Sequence, residues 1–129
     1  MIMKILIADA DVLFLALCRH SFTSEGYQLE TTATGLDCLA RLREGQPDLL
    51  ILDWSLPWGG GDGVLAHMRQ EVLLPRIPVI LTLPASVPEL PDDLLESPVV
   101  ACVRKPIRTR RLIEQVQHIE AVVPAREPG

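Results

Sequence analysis

Cysteine is scarce in this chain. Cys18, Cys38 and Cys102 are odd in number and far apart, which argues against a disulfide framework or a zinc site and for free thiols in a reducing compartment. Basic charge is also in deficit: 12 Lys and Arg face 17 Asp and Glu, for a net charge of -5. Nonspecific attachment to nucleic acid or to an anionic membrane needs clustered cations, so neither is expected of this chain. The stretch from Arg104 to Arg111 is a local exception only. Long apolar runs are missing too. The opening MIMKILIADADVLF is broken by Lys4, Asp9 and Asp11, so it holds neither a signal-peptide core nor a membrane span. A cytoplasmic home is the expectation.

What is present is a core. With 129 residues, 48% of them apolar, and a mean hydropathy of +0.25, the chain has the length of one domain and enough apolar side chains to bury. Ile5 to Ala8, Leu49 to Leu52, Ile77 to Leu81 and Val99 to Val103 are short continuous apolar runs. Runs of this kind suit strands buried on both faces, as in a parallel sheet. Tyr27 to Thr32 reads as a weaker strand. Between these lie amphipathic stretches: Val12 to Glu25, with Leu13, Ala16, Leu17 and Phe22 as its apolar positions and Gly26 as a C′ glycine; Leu36 to Arg43, closed by Gly45 and Pro47; and Gly63 to Leu73. The last helix, Thr109 to Val122, places Leu112, Ile113, Val116 and Ile119 on one stripe. Pro84, Pro88, Pro91 and Pro98 limit the fourth crossover to a turn or two around Asp92 to Glu96.

Alternating βα units imply right-handed crossovers, with any ligand site at the carboxyl ends of the strands. Asp9, Asp53, Thr82 and Lys105 each end or follow one of the apolar runs. Any one of them alone suits a structural role, since Asp favours turns and Thr favours strands. Together they predict four polar side chains on one edge. Lys105 precedes Pro106, an invitation to a cis bond that would aim the lysine back at that edge.

At this point the chain resembles the response-regulator receiver family of the chemotaxis type. The residues carrying the likeness are ILIADAD at 5–11, Gly26-Tyr27, PDLLILDWSLP at 47–57, IPVIL at 77–81 and VRKP at 103–106. The resemblance covers nearly all of residues 3 to 122. It implies a five-stranded, doubly wound parallel sheet in the order 2-1-3-4-5, the flavodoxin-like receiver fold, over residues 1–123. Residues 124–129 would form a tail or the start of a linker. It also implies a phosphoprotein of a two-component system. Asp53 would be the phosphoacceptor, and a histidine kinase or phosphotransfer protein the donor. Asp9, Asp53 and the backbone carbonyl of Ser55 would hold Mg²⁺, and Lys105 would meet the phosphoryl oxygens. Chemically, crowded carboxylates favour a hard cation, and cation plus lysine neutralise the phosphoryl charge during in-line attack. A homodimer through the last strand and flanking helices is a further expectation; direct nucleic-acid binding, membrane association and catalysis beyond self-phosphorylation and self-dephosphorylation are not.

The chain departs from the family at several places. Ala10 stands where a second acid is usual; Asp11 is a candidate substitute ligand, although its ordinary reading is N-cap of the first helix. Leu83 falls where the family carries a switch Ser or Thr, with Thr82 one residue early as the candidate hydroxyl. Adjacent strand residues face opposite sides, so Thr82 is expected not to reach the phosphate without a slip or bulge. Gly60 replaces the usual acid of the turn, inside a mobile Gly59-Gly60-Gly61, and Cys102 takes the place of an aromatic partner. Trp54 is a candidate gate and Trp58 a candidate exposed contact. His20, His67 and His118 read as surface residues, and Arg108, Arg110 and Arg111 as salt-bridged or solvated. Two other functions stay open: a phosphorylation-independent interaction module, suggested by Ala10 and Leu83, and a haloacid-dehalogenase-like phosphatase with Asp9 as nucleophile and Asp11 as acid/base.

Overall fold

A computed structural model describes residues 2–87 and 92–122. The elements in chain order are β1 (Lys4–Ala8), α1 (Val12–Ser24), β2 (Gln28–Thr32), α2 (Gly35–Gly45), β3 (Leu49–Asp53), α3 (Gly60–Gln70), β4 (Val79–Leu83), a single 3-10 turn at Asp92–Leu95, β5 (Val99–Arg104) and α4 (Thr109–Val122). The strands form one parallel sheet in the order β2-β1-β3-β4-β5. This is the order the resemblance implies. Pro88, Pro91 and the tail at 124–129 lie outside the described residues.

Alternation along each strand builds two cores. Ile5, Ile7, Leu49, Ile51 and Ile80 point toward Phe22 of α1 and Leu112, Ile113 and Val116 of α4. Leu6, Ala8, Leu50, Leu52, Leu81 and Leu83 point toward Leu42 of α2 and Leu65 and Met68 of α3. Burial on both sides is why these strands read as unbroken apolar runs. Each fully buried Leu, Ile or Phe removes enough apolar surface to stabilise the fold by about 1.5–3 kcal/mol.

The end of α1 shows how sequence sets geometry. Gly26 has φ +91°, and its N–H donates to the Thr23 carbonyl while the Tyr27 N–H donates to that of Phe22. This is a Schellman closure. The accompanying apolar contact is the Phe22 and Tyr27 ring pair, with centroids 5.8 Å apart.

The structure corrects four of the expectations. The buried stripe of α1 runs through Phe14, Cys18 and Phe22, while Leu13 and Leu17 are 70% and 53% exposed. Val12 to Leu17 is apolar throughout, so its pattern permits two phases. Second, α3 starts at Gly60 and ends at Gln70, three residues earlier at both ends than expected. Val72 and Leu73 then lie in an exposed turn before Pro75. Third, α2 runs on through Gly45, expected to close it, and ends at Gln46, which is left-handed at φ 47°. Fourth, β5 is buried on both sides only in part. It is an edge strand, and the register shift between Val79 and Ile80 throws Val100 out to half exposure.

The short fourth crossover is held from both sides. Arg69 of α3 donates from Nε to the Ser97 carbonyl at 3.1 Å and from one Nη to those of Asp93 and Glu96 at 3.3 and 3.1 Å. Arg104 of β5 donates to the Val87 carbonyl.

Candidate functional site

Register decides which polar side chains meet. Asp53 is the last residue of β3, and Asp9 follows the last residue of β1. Alternation puts both on the α1/α4 side of the sheet, and they are 5% and 2% exposed. Lys105 follows β5; its N–H donates to the Leu83 carbonyl at 2.7 Å, and the peptide to Pro106 is cis. Its ammonium lies 2.7 Å from Asp9 Oδ2 and 3.6 Å from Asp53 Oδ1. The three groups form one cluster. Phe14 closes the side toward α1, with its ring centroid 5.4 Å from the Lys105 Nζ.

Asp9 Oδ1 accepts from the Asp11 N–H at 2.8 Å, and Asp53 Oδ1 from the Ser55 N–H at 3.2 Å. Burial, then the negative charge of Asp9, raises the Asp53 carboxyl above the ordinary carboxylate range, while Lys105 and the Ser55 N–H oppose the rise. Burial alone would lower Lys105, but its bond to Asp9 and the charges of both carboxylates together raise it. Lys105 is therefore charged at neutral pH.

Other expected residues sit elsewhere. Asp11 is the N-cap of α1, its Oδ1 accepting from the Phe14 N–H at 3.1 Å. Thr82 is the register partner of Asp53 and shares its face of the sheet. Its hydroxyl is nevertheless buried and turned to the Leu52 carbonyl at 3.5 Å. Leu83 points the other way, into the core with α2 and α3. Cys102 packs partly buried against that same core. Trp54 is half-buried and Trp58 is 73% exposed. The three histidines are exposed. Arg110 meets Glu25 within the chain at 3.4 Å.

Sequence reasoning missed Phe14 and Gly35, and it read as part of a mobile loop Gly61, which is buried in the first turn of α3. Phe14 had no polar signal to single it out. Gly35 and Gly61 hold the loop after Asp53 by close approach: a Cβ on Gly35 would lie 2.3 Å from the Trp58 carbonyl oxygen, and one on Gly61 2.8 Å from the Trp54 Cα. The Gly35 N–H also donates to the Pro57 carbonyl at 2.9 Å. A glycine at the start of α2 thus helps to place the site loop.

Residues 5–117 match the family model of the response regulator receiver domain. The chain belongs to that family. As a receiver domain it is a signalling module of two-component systems. It is 28% identical over 114 residues to the polar-differentiation response regulator DivK of Brucella ovis, covering 88% of this chain and 93% of that one. It is 35% identical over 81 residues to the phosphate regulon transcriptional regulatory protein PhoB of Rhizobium meliloti, covering 63% of this chain but 36% of PhoB. The match therefore spans about a third of that longer relative. A CheY-like receiver domain structure from Methanospirillum hungatei superposes with a TM-score of 0.77 at 26% identity, covering 92% of this chain and 93% of that one. Among the described residues, no helix is long and apolar enough to cross a membrane. The phosphatase alternative loses its support, since the family is a different one and the Asp11 carboxylate caps a helix.

Receiver domains generally bind Mg²⁺ at their acidic site. The donor set of this chain does not fit a firmly held divalent ion. Asp9 has both oxygens engaged, Asp11 is committed to its cap, and position 10 is alanine. Among the described residues, no group of three His, Cys, Asp or Glu is placed to hold a metal.

Proposed function

We propose that Asp53 is the phosphoacceptor of this receiver domain, supplied by a histidine kinase or a phosphotransfer protein. The observation that carries this reading is the convergence of Asp53, Asp9 and Lys105 in one cluster at the carboxyl edge of the sheet. A carboxylate oxygen of Asp53 attacks phosphorus in line while the Lys105 ammonium meets the phosphoryl oxygens. Raising the Asp53 carboxyl by burial makes its anion more basic and a better nucleophile. The product is an acyl phosphate carrying roughly two negative charges near neutral pH.

A second reading is supported by β4. With Leu83 in the core and the Thr82 hydroxyl turned to a carbonyl, the usual hydroxyl that reads the modification has no counterpart on that strand. On this reading the domain acts through protein contacts without phosphorylation. Incubation with acetyl phosphate and Mg²⁺, followed by intact mass, separates the two. One phosphoryl adduct, lost in Asp53→Ala, supports the first reading; its absence supports the second. The homodimer belongs to the same proposal. Its support is the open β5 edge with half-exposed Val100, and sedimentation of wild type against Val100→Lys tests it.

A further inference from the structure

We infer that Lys105 is the resident cation of this site and that phosphoryl acceptance on Asp53 runs without a divalent metal; the second part rests on Asp53 being the phosphoacceptor. Two carboxylates and one ammonium make up the cluster, leaving a single net negative charge. A hard divalent ion selects for several oxygen ligands and concentrated negative charge. Here the ammonium already holds Asp9 Oδ2 at 2.7 Å, and the Asp11 N–H holds Oδ1 at 2.8 Å. A metal binding Asp9 directly must share an oxygen with one of these two partners, and on Oδ2 it meets the charge of the ammonium.

Asp53 and the Ser55 carbonyl remain as oxygen donors, but the side chains at positions 10 and 11 add none. Ala10 is exposed at the rim and carries no oxygen on its side chain. Asp11 faces the first turn of α1, where its Oδ1 accepts from the Phe14 N–H. Lys105 is itself held in place, by the backbone bond to Leu83 and by the Phe14 ring near its ammonium. A fixed ammonium between two buried carboxylates does the electrostatic task for which a mobile metal is otherwise recruited.

The transfer from acetyl phosphate balances with no co-reactant. An Asp53 oxygen forms a bond to phosphorus, the phosphorus–oxygen bond to acetate breaks, and acetate leaves with the electron pair. Lys105 keeps its proton and screens the oxygens of the phosphoryl group.

The test has a binding arm and a transfer arm. In the first, Mn²⁺ is titrated into wild type and Ala10→Asp, and free Mn²⁺ is read by electron paramagnetic resonance. Wild type is expected to bind at least about tenfold more weakly than Ala10→Asp; equal, saturable binding by both overturns the assignment. In the second, the wild-type adduct with acetyl phosphate is followed by intact mass in EDTA and in Mg²⁺. Rates within about threefold of each other are expected, together with a loss of about a hundredfold in Lys105→Met and partial recovery in Lys105→Arg. An adduct that forms in Mg²⁺ and vanishes in EDTA overturns the inference. If no adduct forms in either condition, it is the phosphoacceptor reading that fails, and the Mn²⁺ titration still judges the cation assignment.

Discussion

Asp53 and Thr82 are register partners at the carboxyl ends of adjacent strands, yet the buried Thr82 hydroxyl gives its hydrogen bond to the Leu52 carbonyl, 3.5 Å away. A bond of that length is weak. Thr82→Val, which keeps the shape and removes the hydroxyl, is therefore expected to change stability by less than about 1 kcal/mol. The yield of adduct at Asp53 should be unchanged. Urea melts and intact mass measure both, and a tenfold fall in yield would show that Thr82 serves the site after all.

The Asp53 carboxyl sets a pH dependence whose sign follows from its environment. Burial, then the charge of Asp9, raises it above the ordinary 3.8, so the folded chain holds this proton more tightly than the unfolded chain. Stability from this group is greatest in acid and falls as pH rises from that ordinary value through the raised one. The deficit persists at neutral pH. Asp53→Asn removes it and should melt a few degrees above wild type near pH 7, with the gap closing toward about pH 3. Thermal melts across that range decide the matter; a variant less stable than wild type at every pH would mean that the bond to Lys105 outweighs burial.

The sheet was legible because its pattern is local. Leu49 to Leu52 is apolar at every position since both faces of β3 are covered, and Asp53 stands out as the polar residue that ends the run. The convergence of Asp9, Asp53 and Lys105 followed from strand ends and family likeness alone. The phase of α1 was not legible, because Val12 to Leu17 satisfies two stripes and packing against the sheet and α4 chooses between them. Nor was the finer geometry of Lys105. Its position nearer Asp9 than Asp53 depends on groups remote in sequence, among them the Phe14 ring and the Leu83 carbonyl.

The thiols give a separate readout of packing. Burial pushes Cys18 and Cys38 up to about 12 and raises Cys102 as well, but only Cys102 is partly exposed. The thiolate is the reactive form. Iodoacetamide near pH 8 is therefore expected to label Cys102 first in the native protein, and all three cysteines in urea. Peptide mapping that finds Cys18 or Cys38 labelled as fast as Cys102 would contradict the packing of α1 or α2.

Gly35 is where the start of α2 touches the loop that follows Asp53. Its N–H donates to the Pro57 carbonyl at 2.9 Å, and an added Cβ would lie 2.3 Å from the Trp58 carbonyl oxygen. Backbone meets backbone there, so no flexible side chain can yield, and Gly35→Ala must displace the loop carrying Trp54 and Ser55. A cost of about 1–3 kcal/mol is expected, with a shift in tryptophan emission and a slower adduct at Asp53. Gly63 supplies the contrast. It lies within α3 with nothing within 4 Å of an added Cβ, so Gly63→Ala should stabilise by up to about 1 kcal/mol through helix propensity, with emission and adduct rate unchanged. Equal melting shifts in the two variants would show that the contact with Trp58 does not constrain the loop.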